Sequence, residues 1–409
     1  MAINAKTLIG ANGMGGVGAS TTRYWSMMTG NPALNATESQ TQITYRTGGV
    51  LSNLWLYVNS NTTTITASTL QVRLNAANGN GTISVAAGTT GTFEDTVNTD
   101  TIAAGDKLDY SFNNAAASGV VNVTDSSVLF AATTNTVIIV GNAKGNFNTD
   151  SNTSYFALAG AGQGSAQATE ARAQFDFNTS GTFANFFINI VSNARTSTTT
   201  YRTRLAGSNG NLVLSVTSGT TGIVEDTSHT DSVAVNTLCN LSINTGSGAF
   251  ETITATLKIE FTTTDGTFWA GTGSSSSSGN TLSTGLTRYG TFWQPNVNNS
   301  TESDSQLKAG VATTASHMWL YISGNATTSA SSITLRKNAG NGADSISIGI
   351  AATGTFEDTT GNDTIIATDL VDIRMVNGGG GTITYWGRSI TLGLPNGNSG
   401  DPMRMSFGF

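Results

Sequence analysis

The 409-residue chain is poor in the residue types on which disulfides and many active sites depend. It has one cysteine, Cys239, so no internal disulfide can form and the fold has to be stabilised by packing. Because Cys239 lies in a strand-like stretch, we predict that it is a small buried apolar residue. The two histidines, His229 and His317, occupy non-equivalent points of the repeats described below, which argues against a zinc site or a repeated Ser-His-Asp set.

Charge is also scarce in this sequence. Charged residues make up 11% of the chain, the net charge is −7 and the isoelectric point is about 4.8. The 18 lysines and arginines are spread without a basic cluster, which argues against binding to nucleic acid. No apolar run approaches the length of a membrane span, and residues 1–20 lack the apolar segment of a signal peptide. We therefore expect neither a nucleic-acid partner nor a membrane partner.

A repeat of about 132 residues organises the chain. Glu94, Glu225 and Glu357 each begin a Glu-Asp-Thr motif, and they are 131 and 132 positions apart. Three further landmarks keep this spacing: Glu38, Glu170 and Glu302; Arg73, Arg204 and Arg336; Asp100, Asp231 and Asp363. The period is much longer than that of a solenoid, so it predicts three tandem domains, each with its own core.

The pattern within each repeat is typical of β-strands. Aliphatic residues alternate with Trp55 and Tyr57 along residues 54–58, as side chains do on the two faces of a strand. The pair Asn78-Gly79 predicts a hairpin turn, since both residue types accept positive φ angles, and the other repeats have equivalent pairs. Helix signals are almost absent. The sequence therefore predicts an all-β protein of three tandem antiparallel β-sandwich domains, jelly-roll-like in type.

The repeat also predicts the domain boundaries. We expect an N-terminal arm over residues 1–22, a first sandwich over 23–141, a second sandwich over 142–273, and a third sandwich with a C-terminal tail over 274–409. Linkers are expected near residues 131–154 and 265–286, and the second has a flexible composition, with Gly-Thr-Gly at 271–273 followed by serines at 274–278. The second sandwich is divergent, because Phe-Phe-Ile-Asn-Ile at 186–190 replaces the Trp-Leu-Tyr strand of the other two.

Repeated carboxylates are the first candidates for chemistry. Those of the Glu-Asp-Thr motifs could bind Ca²⁺ through oxygen, but their spacing matches neither an EF-hand nor glycine-rich calcium repeats. We favour the interpretation that Asp and Thr side chains bond to nearby backbone amides and hold an inter-strand turn. Glu38 and Arg73 are expected to form an internal ion pair rather than part of a catalytic dyad. We predict no catalytic, cofactor or metal site, with Ca²⁺ as the alternative.

Aromatic residues are the second candidates. Trp55, Tyr57, Trp319 and Tyr321 share the strand face opposite the aliphatic residues. A neighbouring subunit could cover this face, or stacked aromatic rings could bind sugars there. We favour the interface and keep the glycan contact as the alternative.

Several motifs resemble a repeat domain found in structural proteins of environmental tailed phages. They are Leu-Trp-Leu-Tyr-Val at 54–58, Ala-Gly-Asp at 104–106, Ile-Thr-Leu-Arg-Lys-Asn at 333–338 and Gly-Thr-Phe-Glu-Asp-Thr at 354–359. The resemblance covers most of the chain, more strongly in the first and third repeats than in the second. It implies a virion component of the tail-fibre, head-fibre or capsid-decoration type, and no catalytic residues carry over.

We therefore expect a non-enzymatic structural protein of a phage virion. It would act by self-assembly and by docking onto other virion proteins, with a homotrimer as the favoured oligomer. The alternative is a carbohydrate-binding receptor-recognition protein, or adhesin, whose partner is a host surface glycan.

Overall fold

The fold is almost entirely β-structure, as predicted from the strand pattern. In the computed structural model the described residues are 6–27, 29–30, 34–149, 153–159, 167–245, 251–274, 278–291 and 297–393. The described helical structure is limited to three short 3-10 turns at Glu38–Gln40, Glu170–Arg172 and Glu302–Asp304. The predicted C-terminal tail, residues 394–409, lies outside the described residues.

Each repeat contributes its own set of strands. The first domain contains β1 (Lys6–Val17), β2 (Thr21–Trp25), β3 (Thr29–Gly30), β4 (Ile43–Thr44), β5 (Gly49–Asn61), β6 (Ser68–Leu74), β7 (Ala77–Val85), β8 (Gly91–Asp95), β9 (Asp100–Ile102), β10 (Lys107–Asn114) and β11 (Val121–Ala132). The second contains β12 (Thr136–Thr149), β13 (Thr153–Phe156), β14 (Phe175–Phe177), β15 (Gly181–Asn193), β16 (Thr199–Leu205), β17 (Ser208–Val216), β18 (Gly222–Asp226), β19 (Asp231–Val233), β20 (Thr237–Asn244) and β21 (Glu251–Thr263). The third contains β22 (Phe268–Thr272), β23 (Asn280–Leu282), β24 (Thr287–Gly290), β25 (Leu307–Lys308), β26 (Thr313–Asn325), β27 (Ser331–Lys337), β28 (Gly340–Ile348), β29 (Gly354–Ile365), β30 (Leu370–Val376) and β31 (Ile383–Gly393).

Two sheets face each other in every domain, in the strand order of a jelly roll. We call them sheet I and sheet II. In the first domain, sheet I has the order β3-β1-β11-β5-β8 with β9 also on β5, and sheet II has the order β2-β10-β6-β7 with β4 on β10. The other domains repeat this order, apart from the strand β3. All pairings are antiparallel except a two-residue parallel bridge between β1 and β3. The prediction of three jelly-roll-like sandwiches is confirmed.

Strands occupy the segments that we expected to be an arm and linkers. β1, inside the predicted arm of residues 1–22, pairs with β11 in sheet I. β12 crosses the predicted boundary at residues 141 and 142 and pairs with β21. Residues 133–135 and 264–267 alone separate the sheets of successive domains. Glycine and serine suggested flexibility in the second linker, where β22 and β23 pair with β31 on either side of residues 275–277, which lie outside the described residues.

The predicted hairpin exists between β6 and β7, but its turn is not at Asn78-Gly79. Asn75 and Ala76 form the turn, with φ angles of 53° and 63°. Gly79 is required for another reason, because a Cβ atom there would lie 2.6 Å from Oδ1 of Asp100. The repeated Asn-Gly pair therefore predicted the hairpin correctly, but it does not form the turn. Its glycine is needed for the close approach of Asp100.

The repeated Glu and Arg residues form the predicted ion pair in all three domains. In each, the arginine donates from two nitrogens to both carboxylate oxygens of the glutamate in the 3-10 turn. In the third domain, Arg336 donates Nε to Glu302 at 2.8 Å and also donates to Asn341 and to the Ala339 carbonyl. One guanidinium thus ties the 3-10 turn to the β27–β28 hairpin.

Replacing Arg336 with lysine is expected to lower the unfolding free energy by about 1–2 kcal/mol, because an ammonium cannot hold four acceptors in a planar fork. Urea denaturation of the full chain would measure it. Arg288, whose Nη1 donates to the Thr287 carbonyl, offers the matched control. Arg288→Lys is expected to change stability by less than about 0.5 kcal/mol. Equal effects of the two substitutions would contradict the assigned role.

Candidate functional site: the contacts between domains

The glutamate of each Glu-Asp-Thr motif lies on sheet I and accepts a hydrogen bond from a different domain. Arg46 of the first domain donates to Glu225 of the second through its guanidinium. Asn178 of the second domain donates to Glu357 of the third at 3.0 Å. These two donors are 132 positions apart, at the same place in their repeats.

The same contact also joins the third domain to the first. Lys308 of the third domain donates to both carboxylate oxygens of Glu94 at 2.6 Å. The contacts therefore run from the first domain to the second, from the second to the third, and from the third back to the first. In every contact the donor domain contributes residues at or next to the short strand that precedes β5, β15 or β26. The acceptor domain contributes sheet I. Because the three contacts use equivalent surfaces, the domains close a ring with approximate threefold symmetry.

A buried carboxylate organises the contact between the first and second domains. Glu260, which is 1% exposed, accepts the Arg46 backbone N–H at 2.7 Å and the Thr47 hydroxyl at 2.9 Å. Within its own domain it accepts from Asn185 at 2.9 Å and from Lys258 at 2.9 Å. Four donors saturate the carboxylate, as a buried charge requires.

Lys258 is the cation of this contact and has no exposed surface. Its ammonium lies 5.6 Å from the ring centre of Phe187 and pairs with Glu260. Burial lowers the pKa of Lys258, while Glu260 acts in the opposite direction. The pair is therefore a structural element whose two members depend on each other.

The contact between the second and third domains is aromatic. Phe175 meets Trp319 edge to face, with ring centres 6.4 Å apart. Arg172 lies over the Trp386 ring at 5.1 Å. Strand β31 comes close at Gly387, where a Cβ atom would lie 2.8 Å from Cε1 of Phe175 and 3.3 Å from the Gln174 carbonyl oxygen. Glycine at this position allows the two domains to pack backbone against ring.

Replacing Gly387 with alanine is expected to lower the unfolding free energy by about 1–3 kcal/mol, because the added methyl group would displace the Phe175 ring. Gly324 provides a matched control in strand β26 of the same domain, since the nearest atom to a Cβ there is 3.5 Å away. Gly324→Ala should be tolerated. Thermal unfolding of both variants tests the difference, and an equal loss would argue against close packing at Gly387.

An acidic group also lies at this second contact. Burial and the neighbouring Glu357 raise the pKa of Asp176 to about 6, and His317 acts in the opposite direction. His317 has a φ angle of 55°, and Asn53 and Asn185, at the equivalent positions of the other domains, have φ angles of 52° and 53°. Each of these left-handed residues interrupts its strand at a bulge and lies beside a contact between domains.

The third contact, between the third and first domains, combines an ion pair with a cleft. Side chains of its ion pair, Lys308 and Glu94, are 25% and 33% exposed. Asn53 donates to the Gly310 carbonyl at 3.5 Å. A cleft beside them is lined by Trp55, Ser127 and Thr368 among other residues. We call this contact the seam, because no short covalent connection spans it.

The aromatic residues singled out in the sequence fall into two pairs. Trp55 and Trp319 are each 3% exposed, although they point away from the core of their own sandwich. Trp55 lies at the seam and Trp319 lies on Phe175, so domains of the same chain cover both rings. Tyr57 and Tyr321 are half-buried at the margin of this face. Sequence periodicity placed these rings correctly on one face without identifying what covers them.

The aspartates of the repeated motif accept hydrogen bonds from backbone N–H groups. Asp95 accepts N–H groups from Thr82, Val97 and Asn98, and Asp100 accepts from Asn80 and Gly81. These bonds hold the pKa of Asp95 below its ordinary value even though burial acts to raise it. The favoured interpretation of the motif, as a brace for inter-strand turns, is confirmed. In the described ranges, no three His, Cys, Asp or Glu side chains group in a way that could hold a metal ion.

Sequence reasoning missed Arg46, Asn178 and Lys308, the donors of the three contacts. They differ in residue type, and Lys308 lies two positions before the equivalent of Asn178, so a search for repeated residues passes over them. Glu260 and Lys258 were missed because neither has a charged equivalent. The sequence signal for this contact was the run Phe-Phe-Ile-Asn-Ile at 186–190, which lacks the alternation of a strand with one exposed face. All five residues are buried, because the strand is covered on both faces.

Comparison with known proteins adds no assignment. No family model matches the chain, and no curated protein matches it. In the part of the chain that the structure describes, no helix is long and apolar enough to cross a membrane.

Proposed function

We propose that this chain is a non-enzymatic structural component of a phage virion, of the fibre or capsid-decoration type. The observation that supports this most is the closed ring. Its repeated glutamates and tryptophans are engaged in contacts between domains. Residues that the sequence offered as candidates for chemistry therefore serve assembly within one chain.

The ring also explains why one chain would contain three copies of the domain. A threefold arrangement of jelly rolls ordinarily needs three chains, whereas here one chain of 42.1 kDa supplies all three domains. We expected a homotrimer through apolar strand faces and the termini, whereas Trp55 and Trp319 on those faces are covered by other domains of the same chain. We propose that one chain is the threefold building block and that further copies, and other virion proteins, dock on its outer surfaces.

Imaging of intact virions with an antibody against this protein tests the proposal. Regularly placed label on the head or tail is expected, together with co-purification of the chain with infectious particles. Absence of the chain from purified particles would contradict a virion role. Light scattering after size exclusion would give the number of chains in the free building block.

A second candidate function is recognition of a host surface glycan. Tyr57 supports it, because its half-exposed ring is parallel to Trp55 with ring centres 6.5 Å apart and offers a flat edge for stacking. Binding on a glycan array that is lost in Tyr57→Ala and Tyr321→Ala would favour this function. Trp319→Ala is a poorer probe, since it removes a buried contact between domains.

A further inference from the structure

The three contacts of the ring are alike in architecture but differ in how they are tethered. Three residues, 133–135, connect the sheets of the first and second domains, and four residues, 264–267, connect those of the second and third. The seam joins residues 214 positions apart and has no such connection. A short connection keeps the two surfaces of the first and second contacts at a high effective concentration, so they rebind quickly after separating. The two surfaces of the seam are not held together in this way, so the seam separates more easily.

The polar bonds of the seam are also accessible to solvent. Lys308 and Glu94 keep 25% and 33% of their side-chain surface exposed, comparable with 37% and 16% for Arg46 and Glu225 at the first contact. The first contact adds the buried Glu260, which accepts from Arg46 and Thr47. An exposed ion pair is weakened by salt, and a cleft beside it gives water a path to the contact. High salt should therefore favour opening of the seam.

Opening of the seam would expose two different surfaces that are complementary to each other. One half is the edge of the third domain around Lys308, and the other is sheet I of the first domain around Trp55 and Glu94. Such a head-to-tail contact is satisfied equally well by the same chain or by another copy. Two chains that exchange a domain form the same number of contacts as two closed rings.

A short turn lies where the third domain would separate from the second. Gly266 has a φ angle of 80° and Asp265 is bound by Thr179 and Thr267, all within or beside the four connecting residues. Short connections between well-packed units favour domain exchange, because a connection too short to move freely can extend into a link between two chains. We propose that the seam opens and that two copies of this chain exchange their third domains, forming a two-chain assembly.

Two single-cysteine variants of the full chain test the exchange. Glu94→Cys and Lys308→Cys are purified separately, mixed at high protein concentration in low and high salt, and treated with a short bismaleimide cross-linker. A product with the mass of two chains is expected, increasing with protein concentration and salt. In an exchanged pair one seam carries both cysteines while the other keeps Glu94 and Lys308. Cys239 is fully buried and its thiol pKa is raised by burial, so it should not react.

Two controls make the result decisive. The double variant Glu94→Cys with Lys308→Cys should cross-link within one chain at low concentration, which shows that the ring closes. Glu94→Cys mixed with Lys337→Cys should give no product, since Lys337 bonds to Thr364 inside its own domain. Cross-linking within the double variant but none between the mixed single variants would overturn the exchange. Failure of the double variant, or equal product from the control mixture, would also overturn it.

Discussion

Replacing Glu260 with alanine is expected to lower the unfolding free energy by about 3–5 kcal/mol, because it leaves a buried ammonium without its partner. Lys258 has no exposed surface, so bulk solvent does not reach its ammonium. The Arg46 N–H and the Thr47 hydroxyl would lose their acceptor at the same time. Urea denaturation monitored by tryptophan fluorescence measures the loss, and separation of the first two domains should precede global unfolding.

The chain supplies the control for this prediction. Ser389 and Thr391 of the third domain lie in the register that Lys258 and Glu260 occupy in the second, opposite Trp319 and Ser316. The double variant Lys258→Ser with Glu260→Thr removes both charges together, so no buried charge is left unpaired. It should cost much less than Glu260→Ala alone. A double variant as unstable as the single one would show that packing, rather than charge, dominates this contact.

Stability is expected to fall as the pH rises from about 4 to about 8, because several buried aspartates have raised pKa values in the folded protein. Asp109 and Asp372 have the largest shifts and contribute most, while Asp176 and Asp344, with pKa values of about 6 and about 7, contribute less. Burial raises the pKa of Asp109 to about 8 and that of Asp372 to about 8, from an ordinary value of 3.8. In this window the folded protein holds protons that the unfolded chain has released. The stabilisation is therefore complete below about pH 4 and lost as the pH passes the folded-state pKa.

The hydrogen bonds around Asp109 fit a protonated side chain. Oγ1 of Thr41 lies 2.8 Å from the Glu38 carbonyl oxygen and 2.6 Å from Oδ2 of Asp109. A hydroxyl has one hydrogen to donate, so both bonds form when Asp109 donates its own proton to Thr41. The second domain has Asn240 in the same register, which is a neutral group of the same shape.

Asp109→Asn with Asp372→Asn should therefore make the fall in stability with pH much shallower. Near pH 9 the double variant is expected to be more stable than the natural chain by on the order of 3 kcal/mol per site, since each pKa unit is worth about 1.4 kcal/mol before relaxation. Near pH 4 the two proteins should be alike. Denaturant midpoints across this range provide the measurement. A fall in stability as steep in the double variant as in the natural chain would assign the effect to other groups.

Much of the fold could be predicted from sequence because its signals are local. Alternation along residues 54–58 identifies a strand without knowledge of its neighbours. The ion pair of Glu38 and Arg73 follows from two residue types that recur at one spacing. The turn at Asn75 was missed because the Asn-Gly pair nearby is a stronger statistical signal, while the reason for Gly79 lies in a carboxylate 21 positions away.

The contacts between domains could not be predicted in the same way. Their partners are 179 and 214 positions apart, and the donors are an arginine, an asparagine and a lysine. Trp55 and Trp319 show the difference, because the sequence places each on a strand face, and only the docking of a neighbouring domain decides that the face is covered.

By itself the amino-acid sequence determined the number of domains, their all-β character and the internal brace of each sandwich. These properties arise from short-range periodicity and from residues repeated at a constant spacing. Only the tertiary structure decided that the three sandwiches form a ring instead of a row. That choice depends on how two preformed surfaces fit, and the geometry of a surface is assembled from strands that are remote in the chain.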